Sequence, residues 1–193
     1  MPWSPKTTSA KQICAAVKQV TKMLFAIRVF VVAALLFPVG EADESISEQE
    51  KSSHSCYCAP GWNCRFNNNY KYIKNAMSWI DAEFYCQNLY QGAHLASILS
   101  EDENDFLKEI TFQHTHSYPI IWIGASDCYK DRFFVWTDGS KLNYKNWFPG
   151  EPNNNNGREA CVNYNFNSPG LWNDEHCEVK FPFICKYTTP YPY

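Results

Sequence analysis

The chain has no hydrophobic run long enough to span a bilayer, no cluster of basic residues, no internal repeat and no catalytic signature. Its longest uninterrupted apolar stretch, Val29–Val39, is eleven residues, whereas a membrane-spanning helix needs about 20. With a formal net charge of -3 and no basic run, binding to nucleic acid is excluded, because neutralising phosphates requires clustered Lys and Arg. There is no Gly-x-Ser-x-Gly, no His-Glu-x-x-His and no Cys and His pair in a recognisable context, which excludes the common hydrolases and zinc enzymes. Neither a collagen repeat nor a heptad neck is present to gather several chains.

Apolar material and cysteine are plentiful. Of 193 residues, 45% are hydrophobic and 17% aromatic, enough for one packed core. Nine cysteines imply disulfides and an oxidising compartment. Lys18, Lys22 and Arg28 precede the short apolar run and Gly40 and Ala42 follow it. This charge, apolar and small-residue order predicts a signal peptide with an N-terminal extension over 1–42, or, if uncleaved, an anchor that leaves the remainder outside the cell. Met23 is an alternative start. From Asp43 onward there are 12 Lys and Arg against 19 Asp and Glu, a net charge of -7, and eight cysteines remain. Residues 43–55 read as an acidic linker with too little apolar surface to order itself. Residues 56–187 read as one domain, and 188–193 as a Pro- and Tyr-rich tail expected to fray.

Apolar residues Trp79, Ile80, Ala82, Phe84, Tyr85, Cys86 and Leu89 fall mostly at three and four spacing, which predicts an amphipathic helix from Ser78 to about Tyr90, stopped by Gly92. A second helix is expected after the N-cap Ser100, with Glu101, Asp102 and Glu103 in the favourable first turn and Phe106, Leu107 and Ile110 buried, ending near Gln113. Short runs at Ile120–Gly124, Phe133–Trp136, Cys161–Phe166 and Phe181–Lys186 read as strands. The Trp residues 79, 122, 136, 147 and 172 are expected in the core, and His114 and His116 at a solvated helix end.

Between Asp138 and Cys161 lies an Asn-, Gly- and Pro-rich segment longer than a loop without a function usually is. It holds Glu151-Pro152-Asn153 and Glu159, and Asn173-Asp174 follow the next strand. All five polar members offer oxygen and none offers nitrogen or sulfur lone pairs, the preference of calcium rather than zinc. Pro152 between two candidate ligands points to a cis Glu151–Pro152 bond. Asn154, Asn155 and Asn156 read as turn residues. His176, beside Asp174 and Glu175, is a weaker candidate for sensing acid pH.

Taken in order, the segment Trp79–Cys86, His94-Leu95-Ala96-Ser97-Ile98, Trp122-Ile123-Gly124, Trp136-Thr137-Asp138-Gly139, the Glu-Pro-Asn and Trp-Asn-Asp triplets and Phe183-Ile184-Cys185 resemble the C-type lectin-like domain. The resemblance covers nearly all of Cys58–Lys186. It implies an α+β fold with two helices, two small antiparallel sheets and a long calcium-binding loop region, stapled by Cys86–Cys185 and Cys161–Cys177. It further implies a calcium site formed by Glu151, Asn153, Glu159, Asn173 and Asp174, with Glu151, Asn153, Glu159 and Asn173 also bonding sugar hydroxyls. In that family Glu-Pro-Asn accompanies mannose-type sugars and Gln-Pro-Asp galactose. The expectation is a secreted, non-enzymatic lectin, possible as a homodimer, for mannose, N-acetylglucosamine or fucose-type glycans on cell or microbial surfaces. An ice-binding protein similar to type II antifreeze proteins, or a calcium-independent protein-binding module, is the alternative on the same fold. Against ice binding, no ordered Thr array is present. Two departures stand out. Ala160 follows Glu159 where sugar-binding relatives often carry an acid, and Asn154 stands where an auxiliary calcium site would use Asp, so that site, left with Asp127 and Asp131, is expected to be weak or absent. Cys56, Cys58, Cys64 and Cys128 differ from the usual pattern, with three connectivities open, or one bridge (Cys58 and Cys64 are candidates) plus intermolecular links.

Overall fold

Burial along each element follows from where its apolar residues repeat. The computed structural model describes residues 58–189; the expected signal peptide, acidic linker, Cys56 and most of the tail lie outside them. Helix α1, Trp79–Leu89, starts at Ser78, whose side chain accepts from the Asp81 N–H at 3.3 Å and donates to Asp81 Oδ2 at 2.6 Å. It buries Trp79, Ala82, Glu83 and Cys86, spaced three, one and three residues apart on one face. Phe84 and Tyr85, part of the expected apolar pattern, sit on the flank and stay partly exposed. Helix α2, Glu101–Thr115, is capped by Ser100 accepting from the Glu103 N–H at 3.2 Å; its last residue lies two beyond the expected end, followed by left-handed His116 as the C-cap. Its buried stripe includes Phe106, Leu107 and Ile110.

Among the described residues eight strands form the sheet network: β1 Asn63–Arg65, β2 Asn68–Met77, β3 His94–Leu95, β4 Ile121–Ser126, β5 Val135–Trp136, β6 Glu159–Tyr164, β7 Trp172–His176 and β8 Phe181–Thr188. The path runs β1-β2-β8-β4-β6-β7, with β3 on β8 and β5 on β4. The two expected antiparallel sheets are joined by one parallel pairing, Trp122 with Phe183 between β4 and β8. Strand β8 runs through Thr188, and the Thr189 N–H donates to Asn67 O at 3.1 Å, so the first tail residues continue the strand instead of fraying.

The core gathers Ile98, Phe106, Leu107, Ile110, Ile121, Ile123, Val162, Tyr164, Trp172 and Ile184 from α2, the segment just before it and the central strands. Each such burial contributes about 1.5–3 kcal/mol. Trp79, Trp122, Trp136 and Trp172 are buried as expected, and Trp147 packs against the cluster. Gly124 is required where β4 passes β3, because a Cβ there would collide with the Leu95 carbonyl. Cys86–Cys185 joins α1 to β8 across 99 residues, a closure worth on the order of 4 kcal/mol in the chain-entropy model. Cys161–Cys177 and Cys58–Cys64 are also formed, and Cys128 is disulfide-bonded. No helix among the described residues is long and apolar enough to cross a membrane.

Candidate functional site

Between Asp138 and Glu159 the chain is irregular apart from one bridge and a short 3-10 turn at Asn155–Gly157, yet it is pinned. The Phe148 N–H donates to Trp172 O at 2.8 Å, the Trp172 N–H to Asn146 O at 2.9 Å, and Asn146 Nδ2 to Gly170 O at 2.8 Å. Beneath it Leu142, Tyr144 and Trp147 pack on the core. The loop thus sits against the start of β7, while Cys161–Cys177 clamps the ends of β6 and β7 that carry Glu159 and Asp174. Core packing and one disulfide therefore place the polar loop.

On that support the structure brings together most of the expected residues. The Glu151–Pro152 bond is cis. The Asn153 N–H donates to Asp174 Oδ1 at 2.9 Å and to Glu151 Oε2 at 3.1 Å, and Asn153 Nδ2 to Glu151 Oε1 at 2.8 Å. Asp174 Oδ2 accepts from the Asn154 N–H at 2.8 Å, and Glu159 Oε2 from the Asn155 N–H at 2.7 Å. Asp174 is almost wholly buried at the floor, and Asn173, buried beside it on β7, joins none of these bonds. Asn153 is exposed at the rim.

The electrostatics of the group are one-sided. Burial, then a carboxyl-to-carboxyl hydrogen bond with Asp174 and its charge, push Glu151 above the usual carboxylate range, partly offset by Asn153 donating to it. Glu159 is raised by burial and by the charges of Asp174 and Glu175, against the Asn155 N–H and His176, which lower it. Asp127 is raised by burial and then by the Asp131 and Asp174 charges, although the Arg132 N–H lowers it. The ion pairs among the described residues are Arg65–Glu109, His94–Glu83, Lys108–Asp105 and Lys186–Glu103, and none reaches Glu151, Glu159 or Asp174.

Counting His, Cys, Asp and Glu alone, no group of three or more among the described residues is arranged to hold a metal ion. Two of the five expected ligands are amides, and the carboxylates here turn oxygens toward backbone N–H groups. The donor set nonetheless fits calcium: three carboxylates, two of which (Glu151 and Glu159) are raised by burial and by the charge of Asp174, two amides, and no nitrogen or sulfur ligand. Local composition makes Asn154 a turn residue. Its side chain instead donates from Nδ2 to Asp131 Oδ1 at 2.6 Å and accepts the Glu159 N–H on Oδ1 at 3.2 Å, contacts that only the tertiary arrangement reveals.

Comparison with known proteins agrees with this geometry. The Lectin C-type domain model matches residues 75–187. A lectin of Pleurodeles waltl is 68% identical over 136 residues, covering 70% of this chain and 79% of its own. A C-type lectin mannose-binding isoform of Oxyuranus scutellatus is 38% identical over 135 residues (69% and 85% covered), and lactose-binding lectin l-2 of Anguilla japonica 39% over 132 (66% and 76%). Among solved structures, human lithostathine superposes with a TM-score of 0.64 at 31% identity, covering 76% of this chain and all of that one. With its domain matched, its fold shared and close relatives at both levels, the chain belongs to the C-type lectin family, whose members bind carbohydrate and are not enzymes.

Proposed function

We propose that the protein is a secreted, calcium-dependent lectin for mannose, N-acetylglucosamine or fucose-type glycans, acting in recognition of microbial surfaces. The observation that carries this reading is the interlocked group of Glu151, Asn153 and Asp174 beside Glu159, all oxygen donors, with no cationic side chain among the described residues paired to their carboxylates. Glu151, Asn153, Glu159, Asn173 and Asp174 would hold calcium, which when bound supplies coordination positions for vicinal sugar hydroxyls. Asp174 holds the Glu-Pro-Asn turn by accepting two backbone N–H groups. Glu151 and Glu159 are acceptors for sugar hydroxyl protons, and the Asn153 and Asn173 amides donate to the same hydroxyl oxygens. That donor and acceptor order is what favours mannose-type over galactose-type sugars. Mannose-binding and lactose-binding relatives stand at nearly equal identity, so the triplet decides, not overall likeness. The disulfides support an extracellular location.

A single shallow site of this kind holds a monosaccharide at about millimolar strength, roughly 4 kcal/mol. Retention of the mature protein on mannose-agarose in calcium, with elution by EDTA and by free mannose, tests the reading directly. Glu151→Gln combined with Asn153→Asp is expected to move preference toward galactose on a glycan panel; unchanged mannose preference would contradict the donor and acceptor account. A folded protein that passes through the column in calcium would instead favour an ice-binding or protein-binding role, to be examined by ice recrystallisation and partner capture.

A further inference from the structure

We propose that Asn154 is a positioning residue whose side-chain amide straps the Asp127–Phe133 segment to the ligand loop and so sets the site's affinity for calcium; this rests on the calcium reading above. Three contacts converge on it. Nδ2 donates to Asp131 Oδ1 at 2.6 Å, Oδ1 accepts the Glu159 N–H at 3.2 Å, and its own N–H donates to Asp174 Oδ2 at 2.8 Å. The side chain thereby ties the Glu159 backbone to a carboxylate 23 residues earlier in the chain, while the backbone N–H of the same residue holds Asp174, the other proposed ligand. A residue serving only as a turn former would bond its own neighbours.

The chemistry explains why an amide stands there. Facing Asp131 calls for a donor and facing the Glu159 N–H calls for an acceptor, and a neutral carboxamide offers both. The backbone at Asn154 is left-handed, φ 49° and ψ 52°, a region that Asn tolerates better than most residues. Asp127 is tied on its own side by the Arg132 N–H at 2.7 Å, so the segment presenting Asp131 is itself fixed. Carboxylates crowd this spot, and an N–H aimed at Asp131 lets the two loops approach without a cation between them. Ligands held this way before metal arrives lose less freedom on binding it.

The test compares wild type with Asn154→Gly, which keeps the left-handed backbone and removes the strap, with Asp131→Ala, and with the exchange Asn154→Asp plus Asp131→Asn. The exchange rebuilds the bond in the opposite direction at unchanged net charge, and the second oxygen of Asp at 154 still accepts the Glu159 N–H. Calorimetric titration with calcium chloride is expected to show affinity about 10- to 100-fold weaker in the two strap-breaking variants and within about threefold of wild type in the exchange, with melting in EDTA similar throughout. Hydrogen exchange of the Glu159 amide in EDTA gives a metal-free readout: protected in wild type and in the exchange, fast in Asn154→Gly. Wild-type calcium affinity in folded Asn154→Gly, or an exchange variant as weak as the single variants, would overturn the proposal. If wild type binds no calcium, the calcium reading falls, and with it the claim about affinity; the amide exchange pattern then decides whether the strap itself exists.

Discussion

Two sets of buried or half-buried acids lie in this domain under opposite conditions. In the core, Glu103 meets Lys186 Nζ at 2.6 Å, accepts from the Leu99 N–H at 2.7 Å and bonds the Tyr70 hydroxyl. Glu83 meets His94 Nδ1 at 2.6 Å, the Leu95 N–H at 2.9 Å and Thr137 Oγ1 at 3.1 Å. Each core acid therefore has a basic partner and further donors, which is what offsets its desolvation. In the loop, Glu151, Glu159 and Asp174 have N–H donors and one another, but no ion pair among the described residues. The core closes its charge balance internally, whereas the loop leaves a deficit that an external divalent cation would close. Stability lives in the first set and binding in the second.

If that division holds, the largest effect comes from Lys186→Met, which strands Glu103 in the core. Denaturant unfolding should show a loss of about 3–5 kcal/mol, most of it recovered when Glu103→Leu is added. Glu83→Gln leaves neutral hydrogen bonds in place of the charged contact, and a loss of about 1–3 kcal/mol is expected from the same measurement.

A smaller change is expected with pH. Burial, the largest single influence on His94, lowers its pKa, but the Glu83 hydrogen bond with the charges of Glu83 and Asp138 outweighs it and the net shift is upward. A raised folded-state value means that this pair's contribution is complete below His94's ordinary pKa near about 6.5 and is lost as pH rises through the folded-state value. Melting curves across that window should show the slope in wild type and lose it in His94→Gln; an equal slope in both would place the titration elsewhere. Smallest is Asp174→Asn in EDTA, where relief of repulsion within the loop opposes the weakened acceptor, so stability stays within about 1 kcal/mol while calcium-dependent sugar retention disappears. Unfolding of that variant would show that core and site are not separable.

Much of this was legible in the chain. Both helices are legible from spacing, the second also from its Ser100 cap, and β4, β6 and β8 from apolar runs between turn residues. The candidate ligands were visible because oxygen-bearing residues gathered in one long loop and one triplet. Strand β2 escaped notice because Asn68–Met77 is largely polar: only Asn69, Tyr70 and Ile73 are buried, and it is a strand through its pairing with β8. Strand β7 was hidden by the polarity of Asn173, Asp174, Glu175 and His176, which pair with β6. Glu103 read as an ordinary helix-start charge, a role corrected by its burial against Lys186, 83 residues away. Asn154 was missed for the same reason. Local pattern names elements, but it does not disclose partners supplied by distant segments.

The central claim is that the loop's carboxylates are left for calcium while the core's are not. Calorimetric titration of the mature protein with calcium chloride near pH 7.5, alongside Asp174→Asn, tests it most directly. One calcium per chain is expected to bind with a dissociation constant of about 0.1–1 mM. Affinity should weaken as pH falls, and earlier than ordinary carboxylates would predict, because Glu151 and Glu159 are raised and must lose their protons to bind metal; in Asp174→Asn no binding is expected. A folded wild-type protein with no saturable calcium binding, or an Asp174→Asn variant that binds equally well, would contradict it.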